Sequence, residues 1–205
     1  MTRYGLISDI HSNLNSLESA LNLISNKRVD KTFHLGDVVY GHEFPDEVVS
    51  LLIQNGIFGV KGDHDESELK YSDKPLNEKT RKYLSKLEKS IELEDGSLLI
   101  HDNPLNAEFG KGYWHLGSYI RNAEDAKRVF EDSNQRILIV GHTHIPCLLS
   151  DKGKEILFPE GGKIILKADY RYILNPGSVG APRDYKKPGF GIYDKEENSF
   201  EVIRF

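Results

Sequence analysis

Five short clusters of carboxylate and imidazole residues punctuate the chain of 205 residues: Asp9-x-His11, Gly36-Asp37, Gly62-Asp63-His64-Asp65, His101-Asp102 and Gly141-His142-x-His144. Side chains two apart in an extended segment point the same way, so Asp9 with His11, and His142 with His144, can each converge on one point. Mixed imidazole and carboxylate ligands suit divalent transition metals, whereas calcium takes oxygen only. Seven candidate ligands (Asp9, His11, Asp37, Asp63, His101, His142 and His144) exceed the need of one tetrahedral ion and suffice for two if one carboxylate bridges. Two metals about 3.5–4 Å apart clamp a phosphate and activate a water between them. Glycines before Asp37, Asp63 and His142 fit sharp turns that bring backbone close to an ion.

Those clusters need a scaffold, and the apolar spacing supplies one. Residues 3–8 read as a short buried strand, after which Leu14, Leu17, Leu21 and Ile24 recur at helical spacing. Residues 32–35 form a second strand and 57–60 a third. Between them Pro45 suits a helix first turn ahead of Val48, Val49, Leu52 and Ile53. Strand, helix, strand, helix, strand at this spacing predicts a parallel sheet with right-handed crossovers. Leu76, Thr80, Tyr83, Leu84 and Leu87 describe another helix, and residues 91–93 and 98–101 a strand pair around Asp95-Gly96. Asn122 reads as the N-cap of a helix carrying Ala123, Ala126, Val129 and Phe130. A strand at 136–140 runs into Gly141. Beyond it, short strands at 147–149, 164–166, 172–174, 191–193 and 200–203 alternate with Gly and Pro turns. A parallel α/β half followed by an antiparallel β half predicts two sheets packed face to face with helices outside, in one domain over residues 1–205. Each cluster falls where a predicted strand ends, the place where open α/β sheets bind ligands.

Composition narrows the function. Lys and Arg total 27 against 32 Asp and Glu, a net charge of −5, which argues against a groove for duplex nucleic acid. With 38% apolar and 29% charged residues the chain has enough to bury and is not a disordered type. The longest aliphatic run, Ile137 to Val140, is far short of a membrane span, so no membrane partner is expected. The opening Met-Thr-Arg-Tyr-Gly-Leu-Ile-Ser has no basic region or long apolar stretch, so no signal peptide is expected either. Cys147, the only cysteine, leaves no internal disulfide and no thiolate metal pair. The expectation is a cytoplasmic protein.

With Asp9-x-His11, Gly36-Asp37, Gly62-x-His64-Asp65, His101 and Gly141-His142-x-His144 in this order, the sequence resembles the calcineurin-like metallophosphoesterases. Asn175-Pro-Gly-Ser-Val-Gly180 and the closing strand pair are similar to small bacterial members, so the resemblance covers nearly the whole chain. It implies the α/β (α+β) four-layer fold of metallo-dependent phosphatases, a two-sheet β-sandwich flanked by helices. It also implies two divalent transition-metal ions, manganese, iron, zinc or nickel, with manganese the choice in vitro. Asp9, His11 and His144 would hold the first, Asp37 would bridge, and His101, His142 and Asp63 would hold the second. His64 would stabilise charge or protonate the leaving oxygen, with Asp65 orienting it. The reaction implied is attack of metal-activated hydroxide on a small phosphodiester or phosphomonoester.

Two departures from the family pattern matter. Asp63 stands where relatives usually have Asn, and an ionised carboxylate has no proton to give a phosphate. Asp102 stands where relatives often have Gly. Protein phosphatases and dinucleoside-tetraphosphate hydrolases of this family carry a GDxxxRG pattern, and Gly41 falls where its Arg would be. The retromer scaffold subunit shares the fold without the catalytic histidine; His64 favours an enzyme, while Asp63 keeps a non-catalytic scaffold open.

Other residues admit plainer readings. His34, inside a strand, reads as a packed or hydrogen-bonded core residue, and Asp65 could simply cap the next helix. His42 and His115 are substrate contacts or solvated histidines. Lys111, Tyr113 and Trp114 form a substrate-stacking loop or one packed on the body. Arg183, Lys186 and Lys187 are a solvated turn or a phosphate-steering patch. Residues 175–180 support the His142/His144 loop, with Asn175 behind the ligands.

Overall fold

The computed structural model describes residues 2–41, 44–72, 76–104, 119–183 and 187–205. In chain order its first half contains β1 (Arg3–Ile7), α1 (Leu14–Ser25), β2 (Lys31–His34), α2 (Pro45–Gln54), β3 (Phe58–Gly59), α3 (Asp63–Tyr71) and α4 (Glu78–Ser85). Then follow β4 (Ser90–Glu92), β5 (Leu98–Ile100), α5 (Ala123–Asp132), β6 (Ile137–Ile139), β7 (Cys147–Ser150) and β8 (Glu155–Leu157). The chain closes with β9 (Gly162–Ile165), β10 (Tyr172–Asn175), β11 (Gly189–Asp194) and β12 (Ser199–Arg204). None of the described helices is long and apolar enough to cross a membrane.

Alternation along the strands builds four layers. Leu6 of β1 packs into the apolar layer between two sheets, beside Phe33, Leu99, Ile137, Ile139, Leu174 and Phe200. Its neighbour Ile7 points the other way, onto Leu17, Val48, Leu52 and Leu84 of the helices outside. In β6, Leu138 likewise turns outward to meet Ala126, Val129 and Phe130 of α5. Successive side chains on a strand face opposite sides, so each apolar strand serves two layers.

One sheet has the order β3-β2-β1-β11-β12-β9 and the other β4-β5-β6-β10-β7-β8. The parallel set β1, β2 and β3 is as expected, and β11 joins it antiparallel to β1, with Tyr4 opposite Tyr193. The sheets therefore do not divide by chain half: three late strands, β9, β11 and β12, complete the first sheet. Strand partnership across such separations is set by long-range packing, which local periodicity does not carry.

Three elements differ from the sequence reading. The third strand is short, Phe58–Gly59, and Val60 continues only as a single bridge to Glu88. Helix α3 was not expected, because its sequence has no apolar stripe and Asp65 is its buried residue. Strand β8 is an edge strand exposed at both ends, which hid it. Asn122 caps α5 as expected, accepting hydrogen bonds from the Glu124 and Asp125 amides at 2.9 Å.

Candidate metal centre

The loops that follow β1, β2, β3, β5 and β6 meet at one point. Asp9, His11, Asp37 and His144 present four donor atoms that all lie within 4.8 Å of one another. Asp37, Asp63, His101 and His142 do the same, so Asp37 belongs to both groups. The two groups contain all seven residues that the sequence nominated, divided as the resemblance implied.

Backbone conformation is the unusual part of the construction. Asp9, His11, Asp37, His142 and His144 all have left-handed φ, between 49° and 65°. Such residues cost of order 1–3 kcal/mol each and persist where surrounding structure over-determines them. Here the His11 amide donates to the Asp37 carbonyl at 2.9 Å, the Gly180 amide to the Asp9 carbonyl at 3.0 Å, and the His142 amide to the Asp9 carboxylate at 3.1 Å. Ser8 donates its hydroxyl to the same carboxylate at 2.6 Å.

Gly62 and Gly141 serve the centre by having no side chain. A Cβ on Gly62 would stand 2.1 Å from Asp37 Oδ1, and one on Gly141 would stand 2.0 Å from Ser8 Oγ. Neither has a positive φ, so close approach between ligand loops, and not a special turn, demands glycine at these two positions.

Two of the four imidazoles are set in a definite tautomer. His101 donates Nδ1–H to the Leu35 carbonyl at 2.6 Å and His144 donates Nδ1–H to the Ala181 carbonyl, leaving each Nε2 lone pair turned inward. His11 Nε2 faces His144 Nε2 at 3.2 Å, and His101 Nε2 faces His142 Nδ1 at 3.2 Å. Carboxylates close the ring: Asp9 Oδ1 is 3.3 Å from His144 Nε2, and Asp63 Oδ1 is 3.1 Å from both His101 Nε2 and His142 Nδ1. Ring nitrogens opposed at such distances need a proton or a cation between them. This donor set fits divalent metal ions.

The electrostatics agree. Burial disfavours charge on His101, but the carboxylates of Asp37, Asp63 and Asp9 outweigh it and hold its pKa well above the ordinary value. His142 is raised in the same way, burial being overcome by Asp63 and Asp102. Burial wins at His11 and lowers it to about 4. Asp63, which burial alone would raise, is held well below the carboxylate range by hydrogen bonds from His101 and His142. A site that draws protons onto His101 and His142 draws cations there generally.

The remaining candidates divide. His64 sits in the first turn of α3 beside the cluster, its ring centroid 5.3 Å from that of His11, and its amide donates to Asp37 Oδ1 at 3.0 Å. Asp65 does not turn toward the His64 ring. Its oxygens accept the amides of Gly62, Asp37, Val38 and Val39 at 2.8 to 3.1 Å, so it caps α3 and clamps the 37–39 loop. Four well-placed donors outcompete a single contact with a neighbouring imidazole. Asn175 supports the ligand loop as expected, its amide reaching the Gly141 carbonyl at 2.7 Å and Thr143 Oγ1 at 3.1 Å. His34 is a buried core residue whose Nε2–H meets Tyr83 Oη at 2.8 Å, and burial lowers its pKa to about 3. Lys187 pairs with Glu160, and Arg183 is exposed. His42, Lys111, Tyr113, Trp114, His115 and Lys186 lie outside the described residues.

The family model of the calcineurin-like phosphoesterase superfamily domain matches residues 2–198, a span holding every ligand above. The chain belongs to that superfamily. An uncharacterised protein of Methanocaldococcus jannaschii is 34% identical, the match covering 97% of this chain and 85% of the relative. A metallophosphoesterase structure from Sphaerobacter thermophilus superposes with a TM-score of 0.85 at 26% identity, over 99% of this chain and 87% of that one. A structure described as a novel archaeal phosphodiesterase shares the fold at 17% identity and a TM-score of 0.57, covering both chains fully.

In this calcineurin-like phosphoesterase two tyrosines went unremarked in the sequence. Tyr40 stacks on His64 with ring centroids 3.9 Å apart and planes at 23°. Tyr119 stacks on His142 at 4.7 Å and 19°, with the Arg121 guanidinium 4.9 Å from the centroid of its ring. The usable signal was position: Tyr40 follows Asp37 by three residues in the same strand-end loop.

Proposed function

We propose that the protein is a cytoplasmic, dinuclear metal-dependent hydrolase of small phosphodiesters or phosphomonoesters. The observation that carries this reading is the pair of four-donor groups sharing Asp37. Asp9, His11 and His144 would hold one ion, His101, His142 and Asp63 the other, and Asp37 both. Divalent ions there supply Lewis acidity toward a phosphoryl oxygen and lower the pKa of water.

The chain's own residues do the rest. The Leu35 and Ala181 carbonyls keep His101 and His144 in the ligating tautomer, and Ser8 and the His142 amide fix the Asp9 carboxylate. His64 belongs to neither donor group and stands beside the cluster, and in this reading it gives a proton to the leaving oxygen. The acidic net charge and the absence of Arg at Gly41 favour small esters over phosphoproteins or duplex nucleic acid.

The test is a panel of bis-p-nitrophenyl phosphate, p-nitrophenyl phosphate, nucleotides and a phosphopeptide, run after metal removal with manganese, iron, zinc or nickel added back. Manganese should restore diester turnover best. His64→Ala should keep both ions and lose about 10²–10⁴-fold in kcat. No turnover on any ester at two bound ions per chain would sink the hydrolase reading, and a faster phosphopeptide would overturn the substrate ranking.

A further inference from the structure

We infer that Tyr40 is the positioning residue for the His64 imidazole, with Asp65 acting on that ring only through the loop that carries Tyr40. The inference rests on the hydrolase reading above. A histidine that moves a proton needs its ring held at one angle, and the group expected to do so, the Asp65 carboxylate, has both oxygens committed to main-chain amides. What touches the face of the ring is Tyr40, centroid to centroid 3.9 Å at 23°, while His11 meets it edge-on at 69°.

Tyr40 is placed with some force. Three of the four amides that Asp65 accepts belong to Asp37, Val38 and Val39, and Val38 and Val39 are buried under the outer helices. The next residue is Tyr40, whose amide donates to Ser12 Oγ at 3.1 Å. Its φ of 151° is rare for a side chain larger than glycine's, so the surroundings hold it there. Tyr40 stays 45% exposed, so filling the core is not its purpose. Asp65 thus braces the 37–39 loop, and the loop lays a flat aromatic face on the residue immediately before Asp65. Stacked aromatic pairs contribute enough to bias a neighbouring ring about 2- to 10-fold between orientations.

The experiment is a double-mutant cycle, using Tyr40→Ala and Tyr40→Phe with and without His64→Ala, with kinetics in manganese-loaded protein and NMR of histidine-labelled protein loaded with diamagnetic zinc. Tyr40→Ala should lower kcat on bis-p-nitrophenyl phosphate about 2- to 10-fold with KM and metal content unchanged. Tyr40→Phe should restore it, and Tyr40→Ala should cost nothing further once His64 is alanine. The carbon-bound ring protons of His64 should move downfield in Tyr40→Ala, having lost the shielding of the stacked ring, and stay in place in Tyr40→Phe. An equal cost in the His64→Ala background, a change confined to KM, a phenylalanine variant as impaired as alanine, or unmoved His64 resonances would each overturn the assignment. A wild-type protein inactive on every ester would break the hydrolase reading, while the NMR shift would still decide whether Tyr40 holds the ring.

Discussion

Asp9, His11, Asp37 and His144 are all buried and all lie in the left-handed backbone region, held by amides from three different loops. In the group of Asp37, Asp63, His101 and His142 the construction is looser. Asp63 and His142 are partly open to solvent, Asp63 belongs to helix α3, and His101 ends a regular strand. Both groups have two carboxylates and two imidazoles, so their difference is one of rigidity and access and not of ligand chemistry. A buried group on over-determined backbone is preorganised and exchanges slowly; a partly open group is the face that an incoming ester meets.

The shared residue gives the largest effect. Asp37→Asn removes a charged ligand from both groups at once, so metal content should fall from two ions to fewer than one per chain, and turnover by about 10³-fold or more, ~4 kcal/mol of barrier. Retention of two ions by this variant would show that Asp37 does not bridge.

Chelator titration separates the groups next. With rising EDTA the protein should lose its ions in two steps, the partly open group first. His142→Ala should mimic the first step, and His144→Ala should lower the affinity of the slower ion, each by about 10- to 100-fold. A single step releasing both ions together would erase the contrast between buried and open groups.

Asp63 sharpens the same contrast. Asp63→Asn removes one of three carboxylates and supplies an amide donor. Second-site metal affinity should fall about 10-fold. At full metal loading, phosphate should bind more tightly, because a hydrogen bond to a charged group is worth about 1.5–3 kcal/mol. Weaker phosphate inhibition together with slower turnover at full loading would mean that Asp63 contributes directly to the reaction.

The smallest effect is on stability against pH. In the metal-free protein His101 and His142 have raised pKa values, so their stabilising charge is fully present below the unfolded histidine value of about 6.5 and is lost as pH rises through their folded values. His11 and His34, lowered to about 4 and about 3, are neutral in both states above that point and add no slope there. Above the unfolded histidine value the metal-free Tm should therefore decline as pH rises. Stabilisation by added manganese should grow over the same window, since protons no longer compete for the ligands. Parallel curves with and without metal would argue against His101 and His142 as ligands.

Much of this was legible in the chain itself, for local reasons. Apolar spacing placed β1, β2, α1, α2, α5 and β6 because burial of one face imposes a period on the sequence, and Asn122 announced the start of α5 through its capping chemistry. The ligands were visible as residue types at strand ends, where a carboxylate or imidazole has few structural reasons to recur. Helix α3 was hidden because its contribution is one buried carboxylate and no apolar stripe, and edge strand β8 because its three residues include none that is fully buried.

The amino-acid sequence by itself determined which atoms are available to a metal and roughly where each stands along a strand or loop, since both depend on neighbours a few residues apart. The tertiary structure decided how those atoms are grouped. It brought Asp9 to His144 and Asp63 to His101 and His142, forced five of the candidate ligands into left-handed backbone, and packed Gly62 and Gly141 against the loops that carry them. It also turned Asp65 from a partner of His64 into a brace for the loop beneath Tyr40. Those outcomes depend on contacts between residues 25 to 135 positions apart, where the free energy of packing two sheets chooses the geometry and no local pattern records the choice.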